Sequence, residues 1–241
     1  MIIMKINLFI GTSPNSEDRD IEMVYEYSLK KNTKHELNIT WMRLHHDSSN
    51  FWGGWNTKKW FTPFSGFRWA IPEYCNYEGR AIYTDVDMIN LCDIGELFSL
   101  DMEGKVIAAR KGIRWNYEFC VMVIDCKKAK DYVWGLKKLK KNKNSHNIHK
   151  DIFNTSDLVK EIDPSLNCLD GEEKKISEIK QLHFTNMQTQ PWKPSWYRGE
   201  TLDHPRLDII DLYDNLKAEA LTNGYVPREI PLERVNYQIQ L

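Results

Sequence analysis

The residues best suited to chemistry lie in Ala81-Ile82-Tyr83-Thr84-Asp85-Val86-Asp87-Met88-Ile89. Apolar and β-favouring residues run into two aspartates spaced i, i+2, and apolar residues follow. On an extended chain, positions i and i+2 point the same way. Both carboxylates can therefore face one point at the C-terminal end of a strand, where open α/β sheets bind their ligands. Two hard oxygen donors there suit Mn²⁺ or Mg²⁺, with water or phosphate oxygens in the remaining positions. Two acids so spaced also occur in solvated turns. The strand before this pair and the acidic helix start at residues 92–97 set the site reading level with the turn reading.

Other groups have a chemical and a bland reading each. His183, between Leu182 and Phe184, is a metal ligand or a hydrogen-bonded core histidine. His45-His46-Asp47 reads as a polar surface turn before it reads as a metal cluster. Phe51, Trp52, Trp55, Trp60 and Phe61 either stack on a sugar or pack a long loop onto the core. The basic run from Lys137 to Lys150 is a solvated helix end that also suits peripheral contact with anionic lipid or a phosphorylated acceptor. Arg110, Lys111 and Arg114 are cations within reach of phosphates, without an assigned role.

These residues need elements to hold them. Residues 6–10 form a short apolar run ending in Gly11-Thr12-Ser13-Pro14-Asn15, a buried strand and its turn. Residues 18–31 read as an amphipathic helix with Ile21, Val24, Tyr25 and Leu29 on one face and acids at its start. Residues 37–42 are a second strand, so the chain opens β-α-β, the beginning of a parallel sheet. Residues 45–62 are a long aromatic excursion, and 67–74 a helix. Residues 80–83, 106–109 and 120–124 are short strands, the last buried on both faces. Residues 127–139 are expected helical, 157–162 a short helix turn, 182–184 a last strand and 207–221 a C-terminal helix stopped by Gly224 and Pro227. The fold class is α/β, in one domain over 1–241 with a core at about 5–197 and a helix and tail at 198–241.

Composition narrows the function. Of 241 residues, 41% are hydrophobic and 28% charged, which excludes a disordered chain. No apolar run approaches the roughly 18 to 20 residues of a membrane span. The apolar N-terminus has neither a basic leader nor a cleavage site and reads as a first strand. A net charge of −1 argues against nucleic acid. Five cysteines without a CxxC pair argue against a disulfide scaffold or a zinc site and favour the cytoplasm. Haloacid-dehalogenase-type phosphatases carry Asp-x-Asp at the first strand, before Gly-Thr; here it lies a third of the way along, before Met-Ile-Asn.

A pattern joins these segments: the first strand with its Gly-Thr turn, FSGFRWAIPEY before the strand, YTDVDM, the apolar strand CVMVIDC and LHFTNMQTQPW. In order and spacing it resembles a small glycosyltransferase of the GT-A (Rossmann-like) fold, similar to the glycogenin and lipopolysaccharide galactosyltransferase family. The resemblance covers about residues 5 to 197. It implies a metal-dependent transfer of a hexose from a nucleotide-sugar donor, UDP-glucose or UDP-galactose, to a glycan or glycolipid acceptor, with retention. Asp85, Asp87 and His183 match the family's Mn²⁺ ligands, and Thr84 and Val86 share the motif. Gly11 and Thr12 match the strand edge where uridine lies, and Arg68 a basic residue that helps place the donor. Asp157 sits where the family has an acid at the donor sugar, and Asp125 is a second acid able to orient hydroxyls. Between His183 and Pro191-Trp192 the family's Gly and Lys are replaced by TNMQTQ, with Lys193 able to supply the charge. The family's Gly-bearing strand is here Glu118-Phe119-Cys120-Val121. A nucleotidyltransferase of related fold and a non-catalytic sugar- or nucleotide-binding relative are the alternatives; the first turn, GTSPNSEDR, lacks the Gly-rich basic signature of the former.

Overall fold

The computed structural model describes residues 3–112, 116–194, 197–229 and 233–240, so Met1, Ile2 and Arg114 lie outside the described residues. The opening βαβ unit forms as its pattern requires. Strand β1 (Lys5–Gly11) pairs in parallel with β2 (Glu36–Met42), and helix α1 (Arg19–Asn32) crosses between them. Ile21, Val24, Tyr25 and Leu29 of α1 are fully buried. On its other side β1 pairs in parallel with β3 (Arg80–Asp85), placing Gly11 beside Asp85.

The main sheet is more mixed than a doubly wound sheet. Its order is β2-β1-β3-β6-β5-β7, with β5 (Ile107–Lys111), β6 (Tyr117–Asp125) and β7 (Val159–Ile162). β6 runs antiparallel to both neighbours. Only residues 112–116 separate β5 from β6, and so short a connection admits only an antiparallel partner. A second sheet joins β4 (Met88–Asn90), β8 (Cys168–Leu169) and β9 (Gln181–His183) in the order β4-β9-β8.

Two expected helices differ. Residues 157–162, read as a helix turn, instead supply β7, which pairs from Ile107↔Val159 to Arg110↔Ile162 and buries Val159 and Ile162. Edge pairing outweighs the local preference of so short a segment. The helix expected at 127–139 breaks into α4 (Cys126–Ala129) and α5 (Leu136–Lys141), with Gly135 extended between them. Around the site, a 3-10 turn (Phe67–Ala70) leads into α2 (Ile71–Tyr74). Farther along come α3 (Gly95–Phe98), α6 (Ser145–Asn154) and α7 (Leu207–Thr222). Helix α7 ties back to α1 through Lys217–Asp20 and Lys31–Glu219.

Candidate active site

Strand β3 delivers Asp85 at its last position, where neighbouring groups fix one of its oxygens. Asp85 Oδ1 accepts from Arg68 Nη2 at 3.0 Å and from the Tyr83 hydroxyl. Arg68 arrives on the 3-10 turn, stacks 4.3 Å over the Tyr83 ring, and also donates to the carbonyls of Ser65 and Phe119. Burial opposes its charge, but Asp85 outweighs that and holds the guanidinium protonated. Burial also drives the Tyr83 phenol up, so it stays a donor. Gly11 makes the approach possible: a Cβ there would stand 2.6 Å from Phe64 Cδ2 and 2.8 Å from the Tyr83 hydroxyl.

Asp87 and His183 meet through the small sheet, 96 positions apart in sequence (183 − 87). The β4–β9 register sets Met88 opposite His183, and Phe184 N donates to the Asp87 carbonyl at 2.9 Å. The nearly buried imidazole keeps Nδ1 3.0 Å from Asn167 Oδ1 and turns Nε2 to within 3.3 Å of Asp87 Oδ1. That approach is close enough for an ion pair but misaligned for a hydrogen bond, so Asp87 Oδ1 is buried without a donor among the described residues. Burial disfavours the imidazolium, yet Asp87 and then Asp85 prevail and shift His183 upward. Burial likewise pushes the Asp87 carboxyl up. A proton on Nε2 thus supplies positive charge between two carboxylates, and a divalent cation is the natural replacement. The orphaned oxygen and the Asp, Asp, His donor set fit such a cation. Asn167 stands where a partner would hold the His183 ring for a ligand on Nε2. Arg110 in turn donates to the Asn167 carbonyl and pairs with Glu172.

A cleft of ≈ 580 Å³ opens beside Asp87, lined among others by Ser13, Asp18, Phe61, Phe64, Val86, Thr185, Trp192, Arg198 and Gln240. Shallower depressions of ≈ 760 and ≈ 700 Å³ lie over the lysine-rich surface and hold no carboxylate, so the cleft at Asp87 is the candidate. Asp18 Oδ2 accepts from Ser13 N at 3.0 Å, and burial pushes its carboxyl up to about 7.

The structure gathers Asp85, Val86, Asp87 and His183, and sets Gly11 and Arg68 immediately behind them. It places five other expected residues apart from this group. The Thr12 hydroxyl donates to Glu22 and Thr84 accepts from Tyr25, so both face the α1 side, and Ser13 is the turn residue at the cleft. Lys193 turns its ammonium back onto the Gln190 carbonyl. Asp125 caps α4 by accepting from Lys128 N, and Asp157 pairs with Lys105 in solvent. Both lie at the opposite end of the sheet, because Asp125 pairs with Arg80 at the start of β3 and Asp157 precedes β7. Among the aromatics, Trp52, Trp55 and Trp60 pack into the core, and Phe61 is left 69% exposed at the cleft. His46 pairs with Glu233 on the surface. Tyr83, Asn167 and Asp18 carry no local signal that marks them from sequence.

Residues 55–164 match the family model for glycosyl transferase family 8. Over that segment the chain resembles glycosyl transferase family 8. Its fold is the GT-A fold of three solved structures. The galactosyltransferase LgtC, in complex with donor and acceptor sugar analogs, has a TM-score of 0.61 and 12% identity over 90% of this chain and 96% of that one. GlyE of Streptococcus pneumoniae TIGR4 gives 0.61 and 17% over 95% and 66%, and the bifunctional glycosyltransferase WbbM gives 0.60 and 12% over 92% and 50%. The chain spans half of the WbbM chain and just under two thirds of the GlyE chain. No curated protein matches it. Among its described residues, no helix is long and apolar enough to cross a membrane.

Proposed function

We propose that the chain transfers a hexose from a UDP-sugar, UDP-glucose or UDP-galactose, to a glycan or glycolipid acceptor, with a divalent cation of the Mn²⁺ type held by Asp85, Asp87 and His183. The observation that carries this reading is the gathering of both carboxylates around His183, beside a cleft that Asp87 lines. When bound, the cation supplies Lewis-acid neutralisation of the departing diphosphate. Arg68 and Tyr83 act behind it, fixing one oxygen of Asp85 and leaving the second outside these bonds. Asn167 holds the His183 ring. Phe61, exposed at the cleft mouth, offers a flat apolar face of the kind a sugar or base stacks against. Arg198 adds a cation to the wall in place of Lys193. Retention, cytoplasmic placement and docking of the lysine-rich surface on anionic lipid belong to the same proposal.

The test is thermal unfolding with Mn²⁺ and nucleoside diphosphates, on wild type and on Asp85→Asn/Asp87→Asn. A ligand at about 100 times its dissociation constant stabilises by roughly 2.7 kcal/mol. In a chain of this size that raises the midpoint by roughly 5 to 10 °C. We expect that shift with UDP, only with Mn²⁺ present, and none in the double variant. A shift with a different nucleotide changes the donor, and no shift with any nucleotide removes the proposal. Binding of UDP without sugar release from either UDP-hexose favours the non-catalytic alternative.

A further inference from the structure

Strand β6 brings a group to the carboxylates that the Asp, Asp, His set does not include. The antiparallel register pairs Thr84 with Val121, which sets Cys120 directly opposite Asp85. Donor atoms of Asp85, Cys120 and His183 lie within 4.8 Å of one another. With Zn–S near 2.3 Å and Zn–N or Zn–O near 2.0–2.2 Å in tetrahedral coordination, two donors on one ion stand roughly 3.3–3.7 Å apart. Side-chain rotation has to close the difference. Cys120 is half-buried. Cys168, the other cysteine near β9, points its thiol at Glu172 instead, 3.3 Å away.

We infer that Cys120 is a further protein donor to this centre, making it a site for thiophilic divalent cations of the Zn²⁺ class. The inference rests on the metal-site reading above. Oxygen and imidazole donors alone suit Mn²⁺ or Mg²⁺, and a thiolate shifts preference toward softer ions. Binding forms a metal–sulfur bond and releases the thiol proton to solvent, with no change of oxidation state. A hard cation leaves the thiol protonated beside it, so the same centre accepts both classes and grips the softer one harder.

The experiment titrates the full chain with Cd²⁺ alone and follows the ultraviolet thiolate-to-cadmium charge-transfer band. We expect a band saturating at one equivalent and displaced by excess Mn²⁺. In Cys120→Ser it should vanish, with Cd²⁺ affinity lowered at least about tenfold and Mn²⁺ affinity nearly unchanged. A band that persists in Cys120→Ser, or that Mn²⁺ does not displace, overturns the inference. So does Mn²⁺ binding to a wild type that gives no band, a result that leaves the transferase proposal standing. A Cys120-dependent band without any UDP effect does the reverse. Should Cys120→Ser not fold, the Mn²⁺ displacement and the weakening expected in Asp87→Asn decide the matter.

Discussion

Asp85 and Asp125 end neighbouring strands of one sheet that run in opposite directions, and so they stand at opposite ends of it. The Asp85 side chain is 12% exposed and is gripped by an arginine and a tyrosine that are themselves buried. Asp125 caps a one-turn helix and lies 3.8 Å from a surface lysine, and at that same end Asp157 is 96% exposed. A carboxylate at a strand end is thus not a site by itself. What distinguishes the Asp85 end is a layer of donors behind the carboxylate and a second sheet that folds His183 across it. In solvent, the lysines beside Asp125 and Asp157 contribute little.

If that supporting layer makes the difference, removing it at one point should unmake the site while leaving the carboxylates in place. Asn167→Leu is the sharpest such change. It removes the partner of His183 Nδ1 at similar volume, and Asn167 Nδ2 already lacks a partner, so no hydrogen bond is lost there. Loss of an outer-shell partner typically costs about 10–100-fold in metal affinity. We expect that loss for Mn²⁺, read from the free-ion electron paramagnetic resonance signal. An unchanged affinity would detach His183 from the metal.

The same contrast explains what the sequence reveals. Asp85 and Asp87 are legible because the strand before them and their i, i+2 spacing are local facts. The βαβ opening and the C-terminal helix are legible for the same reason: one period of apolar residues decides each. His183 became legible only through its resemblance to a family pattern, since nothing local says that β9 pairs with β4. That Asp125 and Asp157 lie at the far end is not legible, because a sequence shows that an acid ends or precedes a strand, not which way the strand runs. The reversal of β6 follows from a five-residue connection, 112–116, and one reversed strand moves Asp125 to the far end of the sheet. Tyr83, Asn167 and Asp18 act through contacts with residues distant in sequence or through burial alone, and neither leaves a motif.

Asp18 tests the comparison from the cleft itself, as an acid buried at the site end without a paired cation on its carboxylate. Burial raises its carboxyl from an ordinary 3.8 to about 7. A carboxyl raised on folding contributes stability that is full below the unfolded value and is lost progressively until pH passes the folded one. Wild type should therefore lose on the order of 2 kcal/mol between pH 5 and 7 relative to Asp18→Asn. Paired denaturation midpoints across that range measure it. Parallel curves for the two proteins would mean that Asp18 is ionised and solvated in the cleft.

At the other end of the sheet the expected effects are smallest, and there they separate cap from catalyst. Asp125→Asn keeps a capping oxygen for Lys128 N, so stability and UDP-hexose turnover should both stay near wild type. Asp125→Ala removes the cap and should cost about 1 kcal/mol, a fall of roughly 2 to 4 °C in midpoint, again with turnover unchanged. Asp157→Asn touches only a solvated pair with Lys105 and should change neither quantity. The decisive readout is kcat/KM for donor turnover in the three variants side by side. A tenfold loss in either asparagine variant, with its midpoint intact, would place a sugar-contacting acid at the end of the sheet remote from Asp87. It would then be the geometry of the cleft, rather than the reading of the acids, that had to be redrawn.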